Sequence, residues 1–298
     1  MTYFLISKFQ GAYLGQIIGK QLLHKNQLIN DSLSDYLIKN NQVISAIISS
    51  INNDLAIWQK CFLNSNSLRI SDIALSLLPW ILLYHDNWHQ LQYLIYLVSQ
   101  KTNLDSEDRE ILEFWIYQVV LALRGKIDLD YPIEQIIQHL QLQSASNLKQ
   151  LEIIAVALAQ GQSSKQVIEI LLAKINYHSR IELLLSLYLF LSVPEAFPLI
   201  MQRAIVVAQK FPNTVSLTST LGGAYNSVAG ISPYWLNYSQ NQQEVPQSLL
   251  MIKKLFNFWL GAYHYDKHDL ITSVIAIPNT LQPRPGLKII SQAEYRSN

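Results

Sequence analysis

The side chains whose types and spacing bear on chemistry are two histidine pairs, a run of hydroxyls, one thiol and one acidic run. His85 and His89, and likewise His264 and His268, stand four residues apart. On a helix that spacing puts two imidazoles on one face, where they can share a zinc ion. A zinc site needs further ligands and groups that orient them, and the chain has no His-Glu-x-x-His. Solvated helix-end histidines are the expectation at both pairs. Ser216, Thr218, Ser219 and Thr220 gather hydroxyls, but no histidine lies nearby in sequence to activate one as a nucleophile. Cys61, beside Trp58 and Phe62, reads as a buried small apolar residue. Glu107, Asp108, Arg109 and Glu110 read as a solvated helix start.

Two further segments carry glycine inside apolar helical patterns. Gly11, Gly15 and Gly19 recur at steps of four and so share one helix face. Each costs about 1 kcal/mol relative to alanine in a helix interior. The spacing by itself points to close helix–helix packing. Small residues recur again from Thr220 through Gly222, Gly223 and Ala224 to Ala229 and Gly230. Neither segment is a phosphate loop, because no Gly-Lys-Ser/Thr ending and no preceding strand accompany it.

The elements that must position these residues are helical. Val43, Ile44, Ala46, Ile47, Ile48 and Ile51 fall on one helix face. Asp105 to Asp108 opens another helix, whose acidic and hydroxyl side chains suit a positive helix end. Gly125 is its expected stop, and Tyr131-Pro132 starts the next. Leu148–Ala159 and Val167–Ile175 read as helix, turn, helix around Gly161. Glu182–Leu191 and Phe197–Ala208 form a second pair, separated at Pro194. Ser239 to Pro246 reads as a polar loop, followed by a helix from Gln247 to about Tyr263 and an irregular tail from Pro278. Hairpin signals such as Asn-Gly or Asp-Gly are absent. The expected fold is all-α: one domain over residues 1–298, a compact multi-helix orthogonal bundle.

Composition narrows the function classes. Of 298 residues, 50% are hydrophobic and only 14% charged, against about 25% charged in an ordinary soluble domain. The 22 basic and 21 acidic residues leave a net charge of +1. A sequence-independent nucleic-acid binder needs a basic face, so no nucleic-acid partner is expected. The strongest apolar run, Leu183 to Val193, is broken by Ser186 and Ser192. It is shorter than the roughly 20 residues that span a bilayer, so no membrane span is expected. One cysteine permits no internal disulfide. The N-terminal segment lacks the pattern of a signal peptide, and a cytoplasmic location is the expectation.

The two glycine segments together resemble the ADP-ribosylglycohydrolase family. Members open with a helix of the type G-A-L-x-G-x-x-x-G-D, which Gly11-Ala12-Tyr13-Leu14-Gly15-Gln16-Ile17-Ile18-Gly19-Lys20 matches except at its end. They close with D-x-D-T-I-G-A-I-A-G-A-x-x-G, which Thr220-Leu221-Gly222 through Ala229-Gly230 follows. Between them, Ala74 to Pro79 looks like the family's M-R-x-A-P helix, and Lys101 to Asp105 like its T-H segment. Leu121 to Lys126 looks like that helix's glycine-lysine end. The resemblance runs from Ser7 to Tyr238, with 239–298 as an added helix and tail. It implies an all-α fold with two magnesium ions in a central cleft and hydrolysis of the glycosidic bond of ADP-ribose.

The departures fall on the metal ligands that the resemblance implies. The family's T-D-D-T corresponds here to Lys39-Asn40-Asn41-Gln42, and its D-x-D-T to Leu217-Thr218-Ser219-Thr220. Asparagine keeps a carbonyl ligand without the charge, and leucine cannot ligate. The Asp that ends the first motif is Lys20, and the histidine of T-H is Asn103. Asp31 and Asp35 are alternative carboxylates for the first segment. No acidic residue lies between Gln202 and Gln243 to repair the second. The expectation is a degenerate cleft at Asn40, Asn41, Leu217, Ser219 and Thr220, with no metal, no cofactor and no catalytic residue. Carboxylates at Asn40, Asn41, Leu217 and Ser219 together are expected to be needed before metal binds. The function that follows is a non-catalytic protein- or ligand-binding module with an unidentified protein partner or self-association. The alternative is a divergent ADP-ribosyl hydrolase acting on a modified protein or small molecule.

Overall fold

A computed structural model describes residues 2–26, 28, 32–49, 54–63, 69–140, 142–175, 178–240 and 244–261. Among these the chain is helical throughout, without strands. The helices are α1 (Thr2–Lys25), α2 (Leu33–Ser49), α3 (Asp54–Phe62), α4 (Ile70–Ser76), α5 (Leu78–Leu83), α6 (Trp88–Thr102), α7 (Ser106–Arg124) and α8 (Pro132–Leu140). They continue as α9 (Ala145–Ala159), α10 (Ser164–Lys174), α11 (His178–Leu191), α12 (Phe197–Val207), α13 (Asn213–Gly230), α14 (Pro233–Gln240) and α15 (Glu244–Trp259). Residues 1–256 form one compact unit, and 257–298 a second, of which 257–261 are described.

The centre of the large unit is the pairing of α1 with α13, as the small-residue faces lead one to expect. A Cβ at Gly11 would lie 2.7 Å from the Ser227 carbonyl carbon, and one at Gly15 2.7 Å from that of Ser219. One at Gly19 would lie 2.5 Å from the Ser216 Cα. Any side chain there meets backbone, which cannot yield cheaply. Glycine is therefore required on α1 by the partner helix and not by its own conformation. α13 bends near its end, where Ser227 takes φ 60 and its Oγ accepts from Ala229 N at 3.3 Å. The small-residue run is thus one helix to Asn226 and a redirected last turn.

α11, α12, α7 and α4 surround α13. α11 is apolar on every side: Leu183, Leu184, Leu185, Leu187, Leu189 and Phe190 are all fully buried. A helix of that kind belongs inside a fold. Burying each leucine contributes about 2 kcal/mol. α7 starts at Asp105, whose side chain accepts from Asp108 N at 2.6 Å, and stops at Gly125 with φ 62. Both ends match the sequence signals. α9 and α10 form the expected helical pair, with a reciprocal cap between Ser163 and Gln166.

One boundary differs. The polar stretch expected as a loop from Ser239 to Pro246 is largely helical: Ser239 and Gln240 end α14, and α15 begins at Glu244. Pro246 sits in the first turn of α15, where its missing N–H has no helical partner to lose. Val245, Ser248, Ile252, Leu255 and Phe256 of α15 are buried, and the Phe256 ring meets Phe9 edge-on at 5.2 Å. The tail from Pro278 lies outside the described residues.

Candidate functional site

α13 extends a full turn ahead of Leu217, so Leu217, Thr218, Ser219 and Thr220 stand in a helix interior. None has exposed surface. Ser219 Oγ donates to the Val215 carbonyl at 2.7 Å, and Thr220 Oγ1 donates to that of Ser216 at 2.6 Å. These hydroxyls are spent on their own helix. Among the described residues, none of Ser216, Thr218, Ser219 and Thr220 bonds to a histidine or a carboxylate, so no proton relay reaches them. All four side chains from Leu217 to Thr220 are closed off from solvent, and the Thr218 hydroxyl is buried without a hydrogen-bond partner among the described residues.

Asn40 and Asn41 lie on α2, which packs on α1, α3 and α5; α1 is the helix it shares with α13. Asn40 is fully buried and donates from Nδ2 to the Tyr36 carbonyl at 3.2 Å. Asn41 donates to Ser248 Oγ of α15 at 3.0 Å. Gln16 Nε2 donates to the Leu75 carbonyl at 2.7 Å, and the Tyr36 hydroxyl reaches the same oxygen at 3.4 Å. The Gln16 and Asn41 side-chain oxygens are buried and take no bond from protein. Burial drives the Tyr13 and Tyr36 phenols above their ordinary range, keeping both neutral. Lys20 is 7% exposed, and its ammonium lies 5.1 Å over the Tyr36 ring. Neutral carbonyls, protonated phenols and a cation supply none of the carboxylates through which magnesium is usually held, and the ammonium repels it. Asp35, the alternative carboxylate, is exposed, and Asp31 lies outside the described residues. Among the described residues no group of three or more His, Cys, Asp and Glu is placed to hold a metal ion.

The chain's charges converge elsewhere. Arg180, 5% exposed at the start of α11, binds Asp105 at 2.9 Å, Glu107 at 2.7 Å and Asp108. Glu110 accepts from the Gln143 and Ser144 amides at 3.2 and 3.3 Å and from Asn147 Nδ2 at 3.0 Å. The acidic run expected to be solvated is therefore a clamp that ties α7 to α11 and α9. Sequence reading missed it because the cation stands far along the chain. At the other end of α7, Lys8 of α1 donates to the Ala122 carbonyl at 2.5 Å. That is the negative end of the helix dipole. Burial lowers the Lys8 ammonium to about 8. Glu182, 1% exposed, accepts from Ser71 Oγ at 2.5 Å and from the Asn213 amide at 3.0 Å. It caps α13, and burial raises its carboxyl. The only sequence signal for Glu182 and Arg180 is a charge opening an apolar run.

The remaining candidates separate. His85 lies in the turn before α6, buried, with Nδ1 donating to the Leu82 carbonyl at 2.8 Å, while His89 is exposed on α6. The helix starts too late to put both on one face. His264 and His268 lie outside the described residues. Cys61 is half-buried, not buried, and its Sγ lies 3.3 Å from Gln42 Oε1. Burial raises its thiol, which disfavours the reactive thiolate. No helix among the described residues is long and apolar enough to cross a membrane. Comparison of the chain with models of known protein families and with curated proteins finds no match in either.

Proposed function

We propose that this chain is a non-catalytic binding module on an ADP-ribosylglycohydrolase-like helical frame, acting on a protein or ligand rather than on a glycosidic bond. One observation carries the reading. The positions at which the resemblance implies acidic ligands hold Asn40, Asn41, Leu217 and Ser219, and the last two are sealed inside the helix that packs on α1. Water with a pKa of about 15.7 is a poor nucleophile unless a base or a metal activates it. The residues present do not fit a magnesium ion that would activate water there.

Burial also changes what substitution can do. Aspartate at Leu217 places a charge with no partner in the core, so the fourfold carboxylate variant is expected to unfold rather than to bind metal. The informative test uses the native chain. Titration calorimetry with magnesium is expected to show no tight site, and chelator to leave the thermal midpoint unchanged. Release of free ADP-ribose from an ADP-ribosylated protein would overturn the proposal and restore the hydrolase alternative.

A further inference from the structure

α9 has more apolar surface than the fold uses. Leu151, Ile154 and Ala157 are buried, yet the same helix also presents Ile153 and Val156 on another side, and Val156 is 50% exposed. A helix apolar on several faces normally lies inside a protein. Here α9 packs against α10, and the two leave between them a groove of about 550 Å³ whose walls include Ile153, Val156 and Ile170.

The groove has chemically different ends. α9 runs into the turn at Gln160–Gln162 and α10 runs back, so Lys149 and Lys174 stand at the end away from the turn. The ion pairs among the described residues involve Arg69, Arg109 and Arg180, and neither lysine. Glu152 is the one acid in the wall, so the lining carries a net positive charge. At the turn, Gln162 donates from Nε2 to Gln160 Oε1 at 2.7 Å, while its own Oε1 is shielded and has no donor.

We propose that this groove docks an amphipathic helix of a partner protein. Its apolar stripe seats on Ile153, Val156 and Ile170, and carboxylates at one end meet Lys149 and Lys174. Helix-in-groove recognition of this kind reads apolar anchors at i, i+3 or i+4 and i+7. Opposite charge at the rim sets orientation and discriminates against basic partners. The inference rests on the binding-module reading and specifies its surface.

The test measures fluorescence anisotropy of a stapled helical peptide on the full chain. The peptide carries leucines at the anchor positions and glutamates at one end; a second version carries lysines instead. Saturable binding of the acidic peptide is expected, with the basic one much weaker. Val156→Asp, on an exposed position, should keep the melting midpoint and weaken binding about tenfold or more. Lys149→Glu with Lys174→Glu should reverse the peptide preference. Equal binding of both peptides, no saturable binding, or indifference to Val156→Asp overturns the proposal. Self-association of the free chain that Val156→Asp abolishes also overturns it, by giving the groove to a second copy. ADP-ribose release is scored on the same preparation. Hydrolysis there would sink the non-catalytic reading and leave the groove result standing.

Discussion

The α1–α13 seam and the two ends of α7 join helices by opposite means. At the seam, glycines on α1 bring two backbones into contact, with no ion pair between the two helices among those formed by the described residues. At α7, charged side chains reach across: Arg180 holds three carboxylates at the first turn, and Lys8 caps the last. The seam tolerates no added atom, because its neighbours are main chain. The clamp is adjustable, because Asp105 and Glu107 remain 59% and 40% exposed and water shares their charge. The spacing of the small residues therefore locates the most tightly packed seam of this molecule. The chemically expressive side chains lie outside it.

The sharpest way to break that contrast is to add one methyl at the seam. Gly15→Ala should destabilise by about 3 kcal/mol or more, since backbone must move. Gly161 has φ +59, but a Cβ there would meet nothing within 4 Å. Gly161→Ala should therefore cost only about 1 kcal/mol, from its left-handed backbone. Urea denaturation of both variants checks the pair. Equal losses would mean that the seam is soft.

The next effect sharpens the charged side. Burial pushes the Glu113 carboxyl up from 4.5 to about 7, although Arg109 lies 3.5 Å away. The folded state therefore holds a proton that the unfolded state releases. Its stabilising contribution is full below pH 4.5 and is lost as pH rises through 7. The loss is at most about 3 kcal/mol. Stability measured from pH 4.5 to 7 should fall in the native chain and fall less in Glu113→Gln. A flat native profile would remove this group from the account.

The smallest effect concerns the clamp itself. Arg180→Met leaves three carboxylates without their cation and should cost about 2 kcal/mol, below the range for a fully buried pair because two of them are partly solvated. The difference from the native chain should narrow in high salt, as screened charges require. The Gly15→Ala penalty should not. A salt-independent Arg180→Met penalty would assign the residue a packing role.

The sequence by itself determined the helical class, the boundaries of α7 and the hairpin of α9 and α10, because each rests on local signals. Asp105 caps its own helix, Gly125 stops it, and Ser163 with Gln166 closes a capping box three residues apart. It also located the seam, since a glycine every fourth residue marks one face. Tertiary structure alone decided what the chemical side chains do. Whether Leu217 and Ser219 line a cleft depends on where α13 begins, and that start is set by Glu182, 31 residues earlier in the chain, accepting the Asn213 amide. Whether Glu107 and Asp108 are solvated depends on Arg180, brought to them by the packing of α11 on α7. Local spacing encodes hydrogen bonds within a turn or two. A side chain's burial and charge partner come from residues the chain meets only after it has folded.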